Sequence, residues 1–322
     1  MQAIVYRNFG SPDVLSCEEI PKPAPADNEV LIKVRAAGLN PLDWRLMKGG
    51  PWAFRLVMGL HKAKHPGVDV AGEVEAVGSK VSQFKPGDPV FGACRGALAE
   101  YVWAPSSGLA VKPENVTFEQ AASAPVAGWT ALQGLRNKGG LEPGQTVLIN
   151  GAAGGVGTFA VQIAKHFGAE VTGVCSTSKL DLVQSIGANH VIDYTRQNLS
   201  DGNPQYDLIL DCVGNLAPPQ LRRMLKPDGR CVIIGAPPDA GLLSIMTGLL
   251  GLVLVAPFRR QKIGFMIAKR NQTDLRFLAD LMAAAKLRPV IDRCYPLAQT
   301  ADALRYLEAG HVRGKVIVQI AG

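Results

Sequence analysis

Residues 145–157, with the sequence Gln-Thr-Val-Leu-Ile-Asn-Gly-Ala-Ala-Gly-Gly-Val-Gly, decide the fold of this chain. A short apolar strand leads into a glycine-rich turn, and a helix with apolar Phe159 and Ile163 follows. Such a turn lets the backbone approach a pyrophosphate, whose charge then lies at the positive end of the helix. Glycine triplets alone are weak signals, and Ala152 replaces the usual first glycine. The residues predicted to form this dinucleotide site are Ala153, Gly154, Gly155, Val156 and Gly157.

The composition is typical of a globular protein. The chain has 322 residues, of which 47% are hydrophobic and 19% charged, and this length predicts about two domains. The net charge of +7 is modest and its basic residues are scattered among acids, so no nucleic-acid partner is expected. Six cysteines without a Cys-x-x-Cys pair, and the lack of a signal peptide, favour reduced thiols and a cytoplasmic location.

The pattern of the chain changes near residue 124. Before it, short strands such as 29–36 and 68–77 alternate with Gly and Pro turns, which predicts a barrel-like β domain. After it, strands and helices alternate through 145–234, which predicts an α/β fold with a parallel, doubly wound sheet. Ligands of such sheets bind at the carboxyl ends of the strands. Besides the glycine turn, the residues predicted to lie there are Ser176, Cys212, Val213, Gly214, Gly235 and Ala236.

Residues 240–258 carry no charge and precede a basic run. Their length reaches that of a membrane span, but glycines and Pro257 interrupt them, and 252–255 fits a sixth strand of the sheet. We therefore expect a buried helix and an interface strand, with contact at a membrane surface through 240–262 as the alternative. An apolar edge strand at 252–255 would invite pairing between two copies, so a homodimer is expected.

Six blocks, in order along the whole chain, resemble the medium-chain dehydrogenase/reductase superfamily, and within it the zinc-independent quinone oxidoreductase (zeta-crystallin-like) branch. These blocks are residues 37–44 (AGLNPLDW), 67–74 (GVDVAGEV), 84–92 (FKPGDPVFG), 127–132 (AGWTAL), the glycine turn, and 313–316 (RGKV). The resemblance implies a GroES-like β domain formed by residues 1–124 with 266–322. It also implies an inserted Rossmann domain at 125–265.

The resemblance also bears on metal binding. Zinc-dependent members carry Cys where this chain has Asn40, and Gly-His-Glu where it has residues 67–69. Zinc takes Cys, His or carboxylate ligands, and neither Asn40 nor Val68 supplies one. A structural zinc would need four cysteines where Cys94 stands alone. We therefore expect no metal, and a protein without this Lewis acid is better suited to quinones and conjugated enals or enones than to simple alcohols.

The second strand of the predicted sheet indicates which cofactor is used. An NAD enzyme has an Asp or Glu about 20 residues past the glycine turn. Residues 171–180 contain no acid but several hydroxyls and Lys179, a set that suits a 2′-phosphate, so NADPH is the expected cofactor. The resemblance adds Tyr194 at that phosphate. Alternatively, Ser176 only caps the following helix and Lys179 is solvated.

Asn40 is the residue expected nearest the chemistry. The resemblance implies a place beside the nicotinamide ribose and the substrate carbonyl, to which a carboxamide can donate. Asn-Pro-Leu-Asp also predicts a helix N-cap with Pro at the first helical position, and both roles are open. The resemblance further implies cofactor contacts at Thr130 and Lys315. The residues predicted to line an apolar substrate pocket, or alternatively to belong to the core, are Trp44, Trp52 and Phe54.

Besides docking at a membrane surface through residues 240–262, three functions remain open. The leading hypothesis is NADPH-dependent reduction of quinones or α,β-unsaturated carbonyls, with a small molecule as the substrate. An enoyl-thioester reductase would have the same scaffold and a different pocket. A non-catalytic NADPH-binding or structural role is the third, because a fold alone does not determine function.

Overall fold

A computed structural model of the protein divides the chain into two units. The first comprises Met1–Trp129 and Arg270–Gly322, and the second comprises Thr130–Lys269. The predicted boundaries, 124/125 and 265/266, lie a few residues from these. The residues that the structure describes are 1–49, 65–201, 204–235 and 260–320.

The elements are numbered here in chain order. The strands are β1 (Gln2–Val5), β2 (Ser16–Glu19), β3 (Glu29–Gly38), β4 (Asp69–Val77), β5 (Pro89–Ala93), β6 (Tyr101–Pro105), β7 (Leu109–Val111), β8 (Thr146–Asn150), β9 (Glu170–Cys175), β10 (His190–Asp193), β11 (Tyr206–Asp211), β12 (Leu225–Ile233), β13 (Lys262–Phe265), β14 (Ile291–Pro296) and β15 (Lys315–Gln319). The helices are α1 (Pro41–Lys48), α2 (Phe118–Ser123), α3 (Pro125–Leu132), α4 (Gly155–His166), α5 (Leu180–Ser185), α6 (Pro218–Met224), α7 (Gln272–Ala283) and α8 (Thr300–Glu308).

The sheet of the first unit is organised around β3. Seven strands take part, in the order β14-β15-β3-β4-β5-β7, with β6 paired to β3 outside this order. One edge of β3 pairs with β4, while its other edge pairs with β6 along residues 29–33 and with β15 along residues 36–38. Val30, Ile32 and Val34 are fully buried along β3, as the alternation of a strand requires. This strand therefore connects the early and late parts of the chain.

The second unit contains a six-stranded sheet in the order β10-β9-β8-β11-β12-β13. Every neighbouring pair is parallel. The chain runs outward from β8 to β10, returns to β11 on the other side of β8, and runs outward again. The strand order thus reverses between β8 and β11, which is where such sheets bind ligands. The predicted parallel, doubly wound sheet is confirmed.

The sixth strand of the described sheet was not among the strands predicted from the sequence. The strand that pairs with β12 is β13, in the register Cys231↔Ile263, whereas residues 252–255 lie outside the described residues, as does all of 236–259. An unbroken apolar run fits a strand buried on both sides, but β13 is only half-buried and begins with a lysine. Its weak apolar signal is the reason that the sequence pattern did not identify it. No helix within the described ranges is long and apolar enough to cross a membrane.

The glycine turn at the start of α4 is tightly folded. A Cβ atom placed on Gly157 would lie 2.1 Å from the Gly151 carbonyl oxygen and 2.7 Å from the backbone of Ala152. A Cβ atom on Gly154 would lie 3.3 Å from the same oxygen, in a backbone conformation that any residue adopts. The turn therefore requires glycine at position 157 because of close packing against backbone.

We expect Gly157→Ala to destabilise the second unit by about 1–3 kcal/mol, because backbone atoms must move to admit the methyl group. Helix propensity alone predicts the opposite sign, a gain of about 1 kcal/mol. Gly154→Ala is the matched control. Its effect on stability should come only from the preference for glycine over alanine at a helix N-cap. Calorimetric melting of both variants tests this, and equal midpoints for the two would contradict it.

Candidate active site

The glycine turn of the second unit presents donors suited to a phosphate. The backbone N–H groups of Gly155, Val156 and Gly157 begin α4 and have no intrahelical acceptors. Gly154, Gly155 and Val156 are partly exposed, whereas Ala153 is buried beneath them. Open N–H groups at the positive end of a twelve-residue helix form an anion site, so this turn fits a pyrophosphate.

Two polar residues that the sequence analysis missed lie at the switch point. The Asn150 side chain ends β8 and donates to Asp211 Oδ1 (2.8 Å) at the end of β11. The same oxygen accepts the backbone N–H groups of Val213 (3.0 Å) and Gly214 (2.8 Å), which fixes the turn after β11. The signal was present in the sequence, since each residue is the first polar one after an apolar run. They position the predicted residue Val213 through its backbone.

The strand ends also meet closely at Gly235. A Cβ atom there would lie 2.2 Å from the Cys212 carbonyl oxygen, so the segment after β12 passes directly against the segment after β11. Burial raises the pKa of the Cys212 thiol, and Asp211 raises it further. The thiol therefore stays protonated and unreactive, and Cys212 contributes its backbone rather than sulfur chemistry.

An acid does lie near the end of β9, the second strand of the parallel sheet in chain order, but it belongs to the neighbouring strand β10. Asp193 ends β10 opposite Cys175 of β9. It accepts hydrogen bonds from the Thr177 hydroxyl (2.5 Å) and from the Thr195 N–H (3.0 Å) and hydroxyl (2.7 Å). These bonds, led by that from Thr177, lower the pKa of Asp193. Local hydroxyls therefore occupy both oxygens of this carboxylate, and residues 171–180 still carry no acid.

The residues predicted for the 2′-phosphate surround this strand end. Ser176 follows β9 directly, and its side chain makes no capping hydrogen bond, so the simple capping alternative is not realised. Lys179 is half-buried at the end of a short 3₁₀ turn, and Tyr194, which follows β10, is 57% exposed. All three stand at the carboxyl edge of the parallel sheet.

In the first unit, four buried polar side chains form one network. Asn40 precedes α1, Asp43 lies in its first turn, Asp69 begins β4 and Lys315 begins β15. Their exposed fractions are only 5%, 4%, 0% and 3%, respectively. They meet because β4 and β15 both pair with the end of β3, where Gly38 lies opposite Asp69 and Ile317. Asn40 and Lys315 were predicted as site residues from the sequence, whereas the two carboxylates were not.

The Lys315 ammonium is surrounded by acceptors. It donates to the Leu39 carbonyl (2.9 Å), Asn40 Oδ1 (2.7 Å) and Asp69 Oδ2 (3.2 Å). An ammonium has three donors, so none remains for a cofactor phosphate, and the predicted direct contact with the cofactor is not supported. Lys315 occupies this interior place because it begins a strand whose next residues, Val316–Val318, are fully buried.

The Asn40 carboxamide is held from both sides. Its Oδ1 accepts from Lys315, while its Nδ2 donates to Asp69 Oδ2 at 2.9 Å and points more weakly at the Gly38 carbonyl, 3.5 Å away. The predicted helix start is confirmed, since α1 begins at Pro41 and Asp43 Oδ2 accepts the Asn40 backbone N–H at 2.7 Å. The side chain of Asn40 therefore serves the buried network, while its backbone serves the helix.

Burial governs the two carboxyl groups. Desolvation raises the pKa of Asp43 to about 7, opposed by hydrogen bonds from the Asn40 and Gly67 backbone. Burial also raises the pKa of Asp69, opposed chiefly by the charge of Lys315. The ionised form is stabilised more at Asp69 than at Asp43, because Asp69 accepts hydrogen bonds from Lys315, from Asn40 and from the Val126 N–H (3.0 Å).

The aromatic residues predicted for a substrate pocket give a mixed result. Trp44 is only 6% exposed and packs in the core of the first unit, as the alternative interpretation held. Arg45 and Lys48 lie over its ring, at 5.2 and 4.9 Å from the centroid. Trp52 and Phe54 fall outside the described residues. Thr130, the first residue of the second unit, is half-buried on α3.

The chemistry of the donor set also bears on metal binding. At the positions where zinc-dependent relatives would place Cys and His, Asn40 offers a carboxamide that Lys315 already occupies and Val68 offers no ligand. Within the part of the chain that the structure covers, no three His, Cys, Asp or Glu side chains form a group that could hold a metal ion. In place of metal ligands, the network contains the fixed ammonium of Lys315.

Asp43 makes the stability of the first unit depend on pH. Because its native pKa is about 7 and its ordinary value is 3.8, the native protein keeps a proton that the unfolded chain loses between these values. The free energy of unfolding should therefore fall as pH rises from about 4 to 7, by up to about 1.4 kcal/mol per pH unit from this group. Asp43→Asn should make this dependence shallower.

Tryptophan fluorescence during urea unfolding measures this, because all four tryptophans belong to the first unit (Trp44, Trp52, Trp103 and Trp129). Asp13→Asn is the control, since Arg305 lowers the pKa of that exposed carboxyl and moves its titration below the window. An unchanged pH slope in Asp43→Asn would show that Asp43 is ionised throughout this range.

The comparisons with known proteins agree with this architecture. The "Alcohol dehydrogenase GroES-like domain" family matches residues 26–114, and the "Zinc-binding dehydrogenase" family matches residues 186–318. The β-rich first unit is thus GroES-like, and the parallel sheet of the second is of the Rossmann type.

Individual relatives cover the whole chain. The chain is 36% identical over 333 residues to the NADPH-dependent alkenal/one oxidoreductase, chloroplastic, of Arabidopsis thaliana. The aligned region covers 99% of this chain and 79% of that protein. The structure of the quinone oxidoreductase from Coxiella burnetii is similar with a TM-score of 0.85 and 32% identity, over 100% and 99% of the two chains. That of the Escherichia coli quinone oxidoreductase complexed with NADPH has a TM-score of 0.84 and 25% identity, over 99% and 100%. The chain belongs to the medium-chain dehydrogenase/reductase superfamily, in its quinone oxidoreductase branch.

Proposed function

We propose that this protein catalyses the NADPH-dependent reduction of quinones and α,β-unsaturated carbonyl compounds. The observation that carries the proposal is the buried network of Asn40, Asp69 and Lys315, which offers hydrogen bonds where zinc-dependent relatives offer metal ligands. Such a site suits acceptors that take up hydride readily, because it supplies no Lewis acid of the zinc type. Relatives along the whole chain are named for these two substrate classes.

The second unit supplies the groups that would hold the cofactor. The backbone N–H groups of Gly155, Val156 and Gly157 suit its pyrophosphate. Ser176, Lys179 and Tyr194, at the carboxyl edge of β9 and β10, suit a 2′-phosphate, and the nearby Asp193 is already saturated by hydroxyls. When bound, NADPH supplies the hydride. These residues bind and orient, and none of them exchanges a proton in the reaction.

In the first unit, Asn40 is the residue proposed to meet the charge that develops on the substrate. Two electrons and a hydrogen nucleus arrive at carbon or at a quinone, and the acceptor oxygen becomes negative until it takes a proton from water. A carboxamide N–H directed at that oxygen stabilises the charge, and losing such a donor typically costs about 10²–10³ in kcat. A quinone needs less of this help than an enone.

The homodimer and the cytoplasmic location stay predictions. The homodimer rests on residues 252–255, which lie outside the described residues, and the cytoplasmic location rests on six cysteines without a Cys-x-x-Cys pair.

A substrate panel tests the proposed function. We expect NADPH oxidation with quinones and with conjugated enals and enones, unchanged after dialysis against a strong chelator, because Asn40 and Val68 supply no zinc ligand. Enoyl thioesters form a separate arm, and a preference for them would instead favour the thioester reductase. NADPH binding without turnover of any compound would favour a non-catalytic role. Loss of activity on chelation, with recovery on adding zinc, would contradict the zinc-free site.

Cofactor preference can be tested at Lys179. Lys179→Ala should raise KM for NADPH about 10–100-fold and leave KM for NADH nearly unchanged, because a charge-assisted bond to a 2′-phosphate exists only with the former. Lys165→Ala is the matched control. That lysine donates to Asn189 Oδ1 (2.9 Å) from the last turn of α4, away from the carboxyl ends of the strands. Steady-state kinetics with both cofactors measures this, and equal changes for the two would place the phosphate elsewhere.

A further inference from the structure

The buried ammonium of Lys315 has a consequence for Asn40 beyond the stability of the fold. A neutral carboxamide can rotate by 180° and exchange its oxygen and nitrogen at little cost, so a lone asparagine does not present a defined donor. Here the two ends of the Asn40 amide face opposite partners, Lys315 at 2.7 Å and Asp69 at 2.9 Å. A rotated amide would place N–H groups against the ammonium and an oxygen against the carboxylate.

The charged partners also affect the strength of the donor. Lys315 withdraws electron density from Asn40 Oδ1, and hydrogen bonds in series polarise one another, more strongly where water is excluded. One Nδ2 hydrogen is committed to Asp69 at 2.9 Å. Among the described residues, the other hydrogen has only the Gly38 carbonyl as an acceptor, at 3.5 Å, beyond the usual length of such a bond. This second hydrogen is the one that can be given to another oxygen.

We propose that Lys315 is a positioning residue: its ammonium, paired with Asp69, locks and polarises the Asn40 carboxamide so that one Nδ2 hydrogen is presented to the substrate oxygen. The inference rests on the proposed function, in which that oxygen becomes negative. It assigns Lys315 an electrostatic part in the reaction without contact with substrate or cofactor.

A purely structural role makes a different prediction. If Lys315 only satisfies the Leu39 carbonyl and the Asp69 carboxylate, replacing it should reduce stability and leave the ratio of enone to quinone turnover unchanged. If it positions Asn40, that ratio should fall, because enones depend more on the hydrogen bond. The ratio therefore separates the two roles.

The test compares Lys315→Met with three other variants. Asn40→Ala sets the scale of complete donor loss, about 10²–10³ in kcat for an enone. Lys112→Met is the matched control, since the Lys112 ammonium lies in the same unit and donates to two other carbonyls, those of Pro113 (2.9 Å) and Val116 (2.5 Å). The double variant Lys315→Met/Asp69→Asn removes both charges together, so that no unpaired carboxylate is left buried.

We expect Lys315→Met to lower kcat for an enone about 10–100-fold, to lower kcat for a quinone several-fold less, and to leave the NADPH Kd within about twofold. The double variant should recover much of the thermal stability but not the enone turnover, because its Asn40 remains free to rotate. Lys112→Met should keep the wild-type ratio. A wild-type enone-to-quinone ratio in Lys315→Met, or in the double variant if the single one does not fold, would overturn the proposal.

A second readout does not depend on turnover. In protein labelled with ¹⁵N-asparagine, the side-chain amide resonance of Asn40 can be assigned by its loss in Asn40→Asp. It should shift and broaden in Lys315→Met and stay in place in Lys112→Met. An unmoved resonance would reject the locking of the amide even if the proposed substrates prove correct. A moved resonance in a protein that reduces neither quinones nor enones would instead reject the proposed function alone.

Discussion

The burial of one positive charge constrains the whole first unit. The ammonium of Lys315 has left water almost completely, and such a group is tolerated only if it is paired and hydrogen-bonded in full. Its partners come from the loop after β3 and from the first residue of β4. The registers that join β3 to β4 and to β15 must therefore hold together, because a slip of one residue would turn Lys315 or Asp69 to the other face of the sheet.

The second unit solves a different problem, the approach of backbone to a highly charged ligand. It does so through close packing of the backbone. At Gly157 and Gly235 the strand ends and the helix N-terminus come together without side chains between them. Asn150 and Asp211 then hold the turns in place. One unit thus concentrates fixed charges in its interior, whereas the other exposes partial charges of the main chain at its edge.

Most of the strands and helices could be predicted from the sequence, because their signals lie within short segments of the chain. The period of apolar residues located the strands and helices, and Asn40-Pro41 located the start of α1. The features that could not be predicted either depend on contacts between distant segments or have a weak apolar pattern in the sequence. β13 is half-buried and lacks a strong apolar run, and the pairing of Asp69 with Lys315 depends on a register between segments 246 residues apart. The cofactor contact of Lys315 was implied only by the family resemblance, and nothing in the sequence around it indicates that its side chain is buried.

The position of β3 has a consequence for the order in which the protein can be made. Its second half pairs with β15, which follows the whole second unit in the chain, so the sheet of the first unit remains incomplete on the ribosome until the second unit has been made. The second unit is one continuous segment and can fold first, because domains generally fold as units during translation. In the interval, residues 36–38 have an unpaired edge and Asp69 has no cation. Contacts between residues so far apart in sequence form slowly, because closing the long intervening loop costs entropy, so we expect the pairing of β3 with β15 to form late in folding.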